Sequence, residues 1–148
     1  MAKFQFRLAT LLKLREAARE ERRRQLAEAV QAEQVLHGRL RDADGQLHEL
    51  RRRQVASTGP GRVQVDQVVQ TQRYELVLQA DRQVLASQHR LLAEEVERRR
   101  AALSVADREV RVLEKLRDRQ MERQRSVLVR REIQEIDEYA GRPTVGEA

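Results

Sequence analysis

The chain has 148 residues, no cysteine, no tryptophan, two phenylalanines and two tyrosines, with 36% of residues charged. This excludes a thick aromatic core, disulfide staples, thiolate catalysis and cysteine-based metal sites. Its 30 basic and 24 acidic residues leave a formal charge of +6, and the signs are interspersed, as on a solvated helical surface. There is no run of about 18 apolar residues to span a membrane. The N-terminus lacks the unbroken apolar stretch of a secretory signal, so a cytoplasmic location is expected.

A first helix is predicted over about 4–56, which holds no proline. Gly38 and Gly45 weaken it by about 1 kcal/mol each. Leu26, Ala29, Leu36, Leu40, Ala43, Leu47 and Leu50 recur at steps of three and four, with Glu33 as the polar gap. That is a heptad seam made to face another helix. Upstream the stripe moves to Leu8, Leu11, Leu12, Leu14 and Ala18, which predicts local unwinding or a change of neighbour.

Ser57-Thr58-Gly59-Pro60-Gly61 is the strongest turn signal, and the turn is assigned to 57–62. Proline removes an amide donor and clashes with the preceding turn, so a helix must end there. A second helix is predicted over about 66–139, with Asp66 as its N-cap. Its seam is Leu78, Leu85, Leu92, Val96, Leu103, Ala106, Val110 and Leu113. Val77, Val84, Leu91, Val105 and Val112 sit one residue earlier and widen the stripe, which predicts more than one neighbour. Gly141 and Pro143 close the helix, leaving 140–148 as a tail.

These elements predict an all-α fold, two long helices forming an antiparallel coiled-coil hairpin, as one domain over 1–148. At about 1.5 Å rise per residue the helices are rods of about 75 and 110 Å. With the tip near Gly59, residue i should face a residue near position 118 minus i. Arg22, Arg23 and Arg24 then meet Glu94, Glu95 and Glu97, while Arg98, Arg99 and Arg100 meet Glu16, Glu20 and Glu21. The segment from Lys115 to Tyr139 is left without a partner in the chain. It carries Leu116, Met121, Val127, Leu128, Val129, Ile133 and Ile136, a basic first part and an acidic end at Glu132, Glu135, Asp137 and Glu138. An unpaired helix with this content is expected to be a docking surface.

Catalysis is not expected. His37 and His48 lie about 16 Å apart along one helix, too far to share a metal, and His89 is expected to face Ala29. No phosphate-binding loop, nucleophile elbow or zinc-protease motif is present. A two-helix coil offers no enclosed pocket to shift carboxylate pKa values. No cofactor, metal or catalytic residue is assigned. Two rival readings remain. One is a basic coiled-coil nucleic-acid-binding protein using Lys115 to Arg131. The other is a membrane-surface helix with Phe4, Phe6, Leu8, Leu11 and Leu12 on one side.

Phe4-Gln5-Phe6-Arg7-Leu8, followed by Leu11-Leu12-Lys13-Leu14-Arg15-Glu16, resembles the opening of the flagellar export protein FliJ family. Leu113-Glu114-Lys115-Leu116-Arg117, Arg131-Glu132 and Ile136-Asp137-Glu138-Tyr139-Ala140 resemble its C-terminal signature. The resemblance implies a non-enzymatic stalk and adaptor of flagellar type III protein export, similar to the central stalk of rotary ATPases. It implies a place at the cytoplasmic face of the inner membrane. The implied partners are the export ATPase FliI, the export gate protein FlhA and export chaperones. For the ATPase ring the residues are Phe4, Phe6, Leu8, Leu116, Met121, Val127, Leu128, Ile133, Ile136, Asp137 and Glu138. For the gate they are Tyr74, Leu78 and Leu85, with Asp81 standing where the family would have a small residue. The stalk proteins of virulence-type secretion systems are similar in shape and form the structural alternative.

Overall fold

The computed structural model describes residues 3–59 and 61–143; Pro60 of the turn signal and residues 144–148 of the expected tail lie outside them, as do residues 1 and 2. Two helices account for the ordered elements, α1 (Ala9–Ser57) and α2 (Val65–Ala140). No strand occurs among the described residues. The helices pack against each other along their apolar seams, so the fold is the expected all-α hairpin. By internal contacts the chain divides into two compact units. One joins residues up to Glu20 with those from Ser104 onward; the other is Glu21–Leu103.

In the Glu21–Leu103 unit the seam follows the heptad. Positions 26, 29, 33, 36, 40, 43, 47, 50 and 54 of α1 are all buried or half-buried. The buried apolar side chains are Ala29, Ala43, Leu47, Leu78 and Val96. Two alanines among five keep this core thin. The polar seam residues reach across instead of being sealed in: Gln54 donates to Glu75 at 3.2 Å, and Arg51 pairs with Glu75 at 3.1 Å. Arg82 pairs with Asp44, and Arg99 donates to the Gln25 carbonyl at 2.5 Å.

The register differs from the expected one. Paired positions (25 with 99, 44 with 82, 51 with 75) add up to about 125, not about 118. The cause is the turn. α1 runs to Ser57, where the Ser57 and Thr58 hydroxyls cap the Gln54 carbonyl at 3.0 Å each, and α2 begins only at Val65. Asp66 accordingly lies in the first turn of α2, where a carboxylate favours the helix dipole, and not at its N-cap.

Arg22, Arg24, Arg98, Arg99 and Arg100 do not pair with the glutamates expected across the seam but find side-chain partners on their own helix. Arg98 and Arg99 both bind Glu95, at 2.6 and 2.9 Å, and Arg100 binds Glu97 at 3.0 Å. Arg24 pairs with Glu21 at 3.3 Å and Arg22 donates to Gln25 at 3.3 Å. Partners three or four residues along the same helix are nearer than those across the seam. The shift also moves His89 away from Ala29. It stands 3.8 Å from the Glu33 carboxylate and its ring lies 5.6 Å from that of His37.

In the other unit the core is Leu12, Val110 and Leu113, with Phe6 packed against them and Ala106 buried nearby. Phe6 explains why α1 starts at Ala9 and not near Phe4. The residues before Leu8 bend so that the phenyl ring reaches this cluster, and the Ala9 amide donates to the Phe6 carbonyl at 3.1 Å. The expected change of stripe does not occur. Buried and half-buried positions continue through Leu12, Glu16 and Arg19, whereas Leu14 and Ala18 are exposed. The seam here includes charged residues: the half-buried Arg19 pairs with Asp107 at 3.5 Å, and at its exposed edge Arg15 pairs with Glu109 at 3.1 Å. The Arg19 Nε is buried without a hydrogen-bond partner.

Candidate partner-binding surfaces

The first candidate surface is the end of α2. Seam burial on α2 continues through Leu113, Glu114 and Arg117 and then stops. From 118 to 140 every residue is exposed except the half-buried Gln124. α1 begins at Ala9, which the observed register sets opposite a position near 116, so beyond that point α2 has no helix beside it. The free segment therefore starts a few residues later than Lys115. Met121, Val127, Leu128, Ile133 and Ile136 all lie on it and are exposed, Ile136 at 66%. Asp137 and Glu138 are exposed at its end, where the Gly141 amide closes the helix on the Asp137 carbonyl at 2.8 Å.

Most apolar residues of this segment share one broad side, about 140° wide from Leu128 to Ile133, and Val127 points away from it. Val127, Leu128 and Val129 are consecutive, so successive side chains point about 100° apart around the helix. All three are exposed to a similar degree. The charges are graded along the axis: Arg119, Arg123, Arg125, Arg130 and Arg131 precede Glu132, Glu135, Asp137 and Glu138.

Of the expected residues near the base of α1, Phe6 belongs to the Leu12–Val110–Leu113 cluster. Phe4 is half-buried, and Leu8 and Leu116 are each exposed at 36%. Thus part of this group is structural and part is accessible.

The second candidate surface surrounds Tyr74 in the Glu21–Leu103 unit. Tyr74 is 53% exposed and lines an open groove of about 550 Å³ with Arg41, Asp42, Gln46, Glu49 and Arg53. The three expected residues are not equivalent. Leu78 is buried in the seam at 7% exposure and Leu85 is half-buried. Between Tyr74 and Leu78, Glu75 is held below the ordinary carboxylate range by hydrogen bonds from Arg51 and then Gln54. Glu95 is held low by Arg98 and Arg99 in the same way.

A third feature had no sequence reading as a site. Leu11, Val105, Val112 and Leu113 line a shallow apolar groove of about 350 Å³, edged by Arg15, Arg108 and Glu109. Its signal was available in the valines at 105 and 112, which repeat one heptad apart beside the seam.

Among the described residues no helix is long and apolar enough to cross a membrane, and no cluster of His, Asp and Glu is arranged to hold a metal ion. Comparison with curated proteins and with solved structures gives no match. The family model described as flagellar FliJ protein matches residues 4–145, nearly the whole chain. The two ends that carry the sequence resemblance are both inside that match, and the helical hairpin agrees with it, so the chain belongs to the flagellar FliJ family of export components.

Proposed function

We propose that this protein is a non-enzymatic stalk and adaptor that couples the ring of the export ATPase FliI to the export gate FlhA and assists export chaperones. The observation that carries the reading is the free end of α2. Residues 118–140 carry Met121, Leu128, Val129, Ile133 and Ile136 on one broad accessible side and Val127 on another, with no helix of this chain beside them, as suits a segment held by partner proteins. The graded charge adds contacts that can be exchanged as ring subunits change state, because exposed ion pairs are individually weak.

The gate contact is assigned to Tyr74 and the groove beside it. Leu78, one turn from Tyr74, holds α2 in the seam beside that surface, and Leu85 would contribute from its half-buried position further along the helix. The protein would act as one coiled-coil domain at the cytoplasmic face of the inner membrane, held there by its partners.

Co-purification with the export ATPase tests the reading. The wild-type chain should be retained, and the Leu128→Asp/Ile136→Asp double variant should lose at least tenfold in affinity, since buried anchor residues carry most of a contact's free energy. Both substitutions lie on the exposed segment, so the circular dichroism spectrum should be unchanged. Retention on DNA that falls steeply with salt, without ATPase binding, would replace this reading with nucleic-acid binding.

A further inference from the structure

We propose that the apolar groove at Leu11, Val105 and Val112 is the seat for the C-terminal end of α2 from a second copy of this chain. The groove is exposed: Val105 and Val112 are accessible at 54% and 64%, one heptad apart on the same face. Its rim is basic in effect, because Glu109 is engaged by Arg15 while Arg108 has no ion-pair partner among the described residues. The occupant must therefore be an apolar helical stripe with acidic flanks.

The chain itself contains such a stripe. Val129, Ile133, Ile136 and Ala140 follow each other at steps of four, three and four, which puts them on one side of the helix. Glu132 and Asp137 border the stripe on its two sides, and neither has an ion-pair partner among the described residues. Val129 and Ile136 repeat at the same seven-residue interval as Val105 and Val112, so two points of contact can form together.

The occupant cannot be the same molecule. The valines of the groove and the stripe both lie on α2, which is continuous from Val65 to Ala140, and a helix cannot fold back on itself without a break. A second copy supplies what one copy cannot. Two copies running antiparallel can exchange ends, each filling the other's groove, which gives a closed two-fold dimer and not an open fibre. The stripe lies on the segment assigned above to the ATPase, so this dimer would hold that segment out of reach. That regulatory consequence rests on the ATPase reading; the dimer itself does not.

The chain has no cysteine, so cross-linking reports directly. Full-length Val112→Cys and Val129→Cys chains are mixed under mild oxidation. The expected result is a disulfide-linked heterodimer, with little product when Val55→Cys, an exposed position near the turn, replaces Val129→Cys. Sedimentation of the unmodified chain should show a monomer–dimer equilibrium, and Arg108→Glu should weaken it about tenfold. A monomer at every concentration up to the solubility limit overturns the proposal. So does a dimer that cross-links equally through Val55→Cys or is indifferent to Arg108→Glu. The chain is tested alone, so either outcome leaves the ATPase contact to be judged by co-purification.

Discussion

Tyr74 and Leu78 stand one turn apart on α2, yet one is half exposed and the other is sealed in the seam. Substitution should separate them. Leu78→Ala removes a buried side chain and leaves a cavity, costing about 2–5 kcal/mol, so thermal denaturation should show a clear fall in Tm. Tyr74→Ala should change stability by less than about 0.5 kcal/mol, and its effect should appear in gate binding. A Tm loss equal to that of Leu78→Ala would place Tyr74 in the core instead. At the same scale, Glu75 and Glu95 have folded-state pKa values lowered by their arginine hydrogen bonds. A lowered folded pKa contributes stability above the ordinary carboxylate range, and that contribution is lost as pH falls through the folded value. Glu75→Gln/Glu95→Gln should therefore flatten the acid limb of Tm against pH. An unchanged limb would mean that the hydrogen bonds are not kept in solution.

At the scale of the helices, the heptad positions were legible and the register was not. Ala29, Leu47, Leu78, Val96 and Val110 are buried where the three–four alternation put them, because that spacing holds one side of a helix against its partner. The register depends on where each helix leaves the turn, and no pattern within a helix encodes that. Matching charge runs misled for a physical reason. In a chain this rich in Arg and Glu, Arg98 and Arg99 find their carboxylate, Glu95, on their own helix, and the contact Arg99 makes across the seam is to the Gln25 carbonyl and not to an acid. The start of α1 was missed because Phe6 serves the core from outside the helix, which a periodicity argument does not see. Gly38 and Gly45 offer a direct test of helix energetics. A Cβ at either position meets nothing within 4 Å. Gly38→Ala and Gly45→Ala should each stabilise the protein by about 0.5–1 kcal/mol, measured by urea unfolding. Destabilisation at either site would show that α1 needs to flex there.

For the molecule as a whole, composition pointed toward a function made of surfaces. With two phenylalanines and no tryptophan, the chain buries mainly Leu, Val and Ala between two helices and leaves large apolar residues in the open. The free end of α2 was legible as an unpaired segment, because helix 2 is longer than helix 1 whatever the register. The groove at Val105 and Val112 was visible only as a stripe too wide for one partner. What the stripe faces depends on the fold and not on the spacing alone.

Amide hydrogen exchange of the full chain, alone and with the export ATPase, tests the central claim most directly. The account predicts that the protection gained on binding is concentrated in residues 118–140, with little change around Tyr74. Protection gained around Tyr74 and not at the end of α2, or no gain anywhere in the presence of the ATPase, would contradict it.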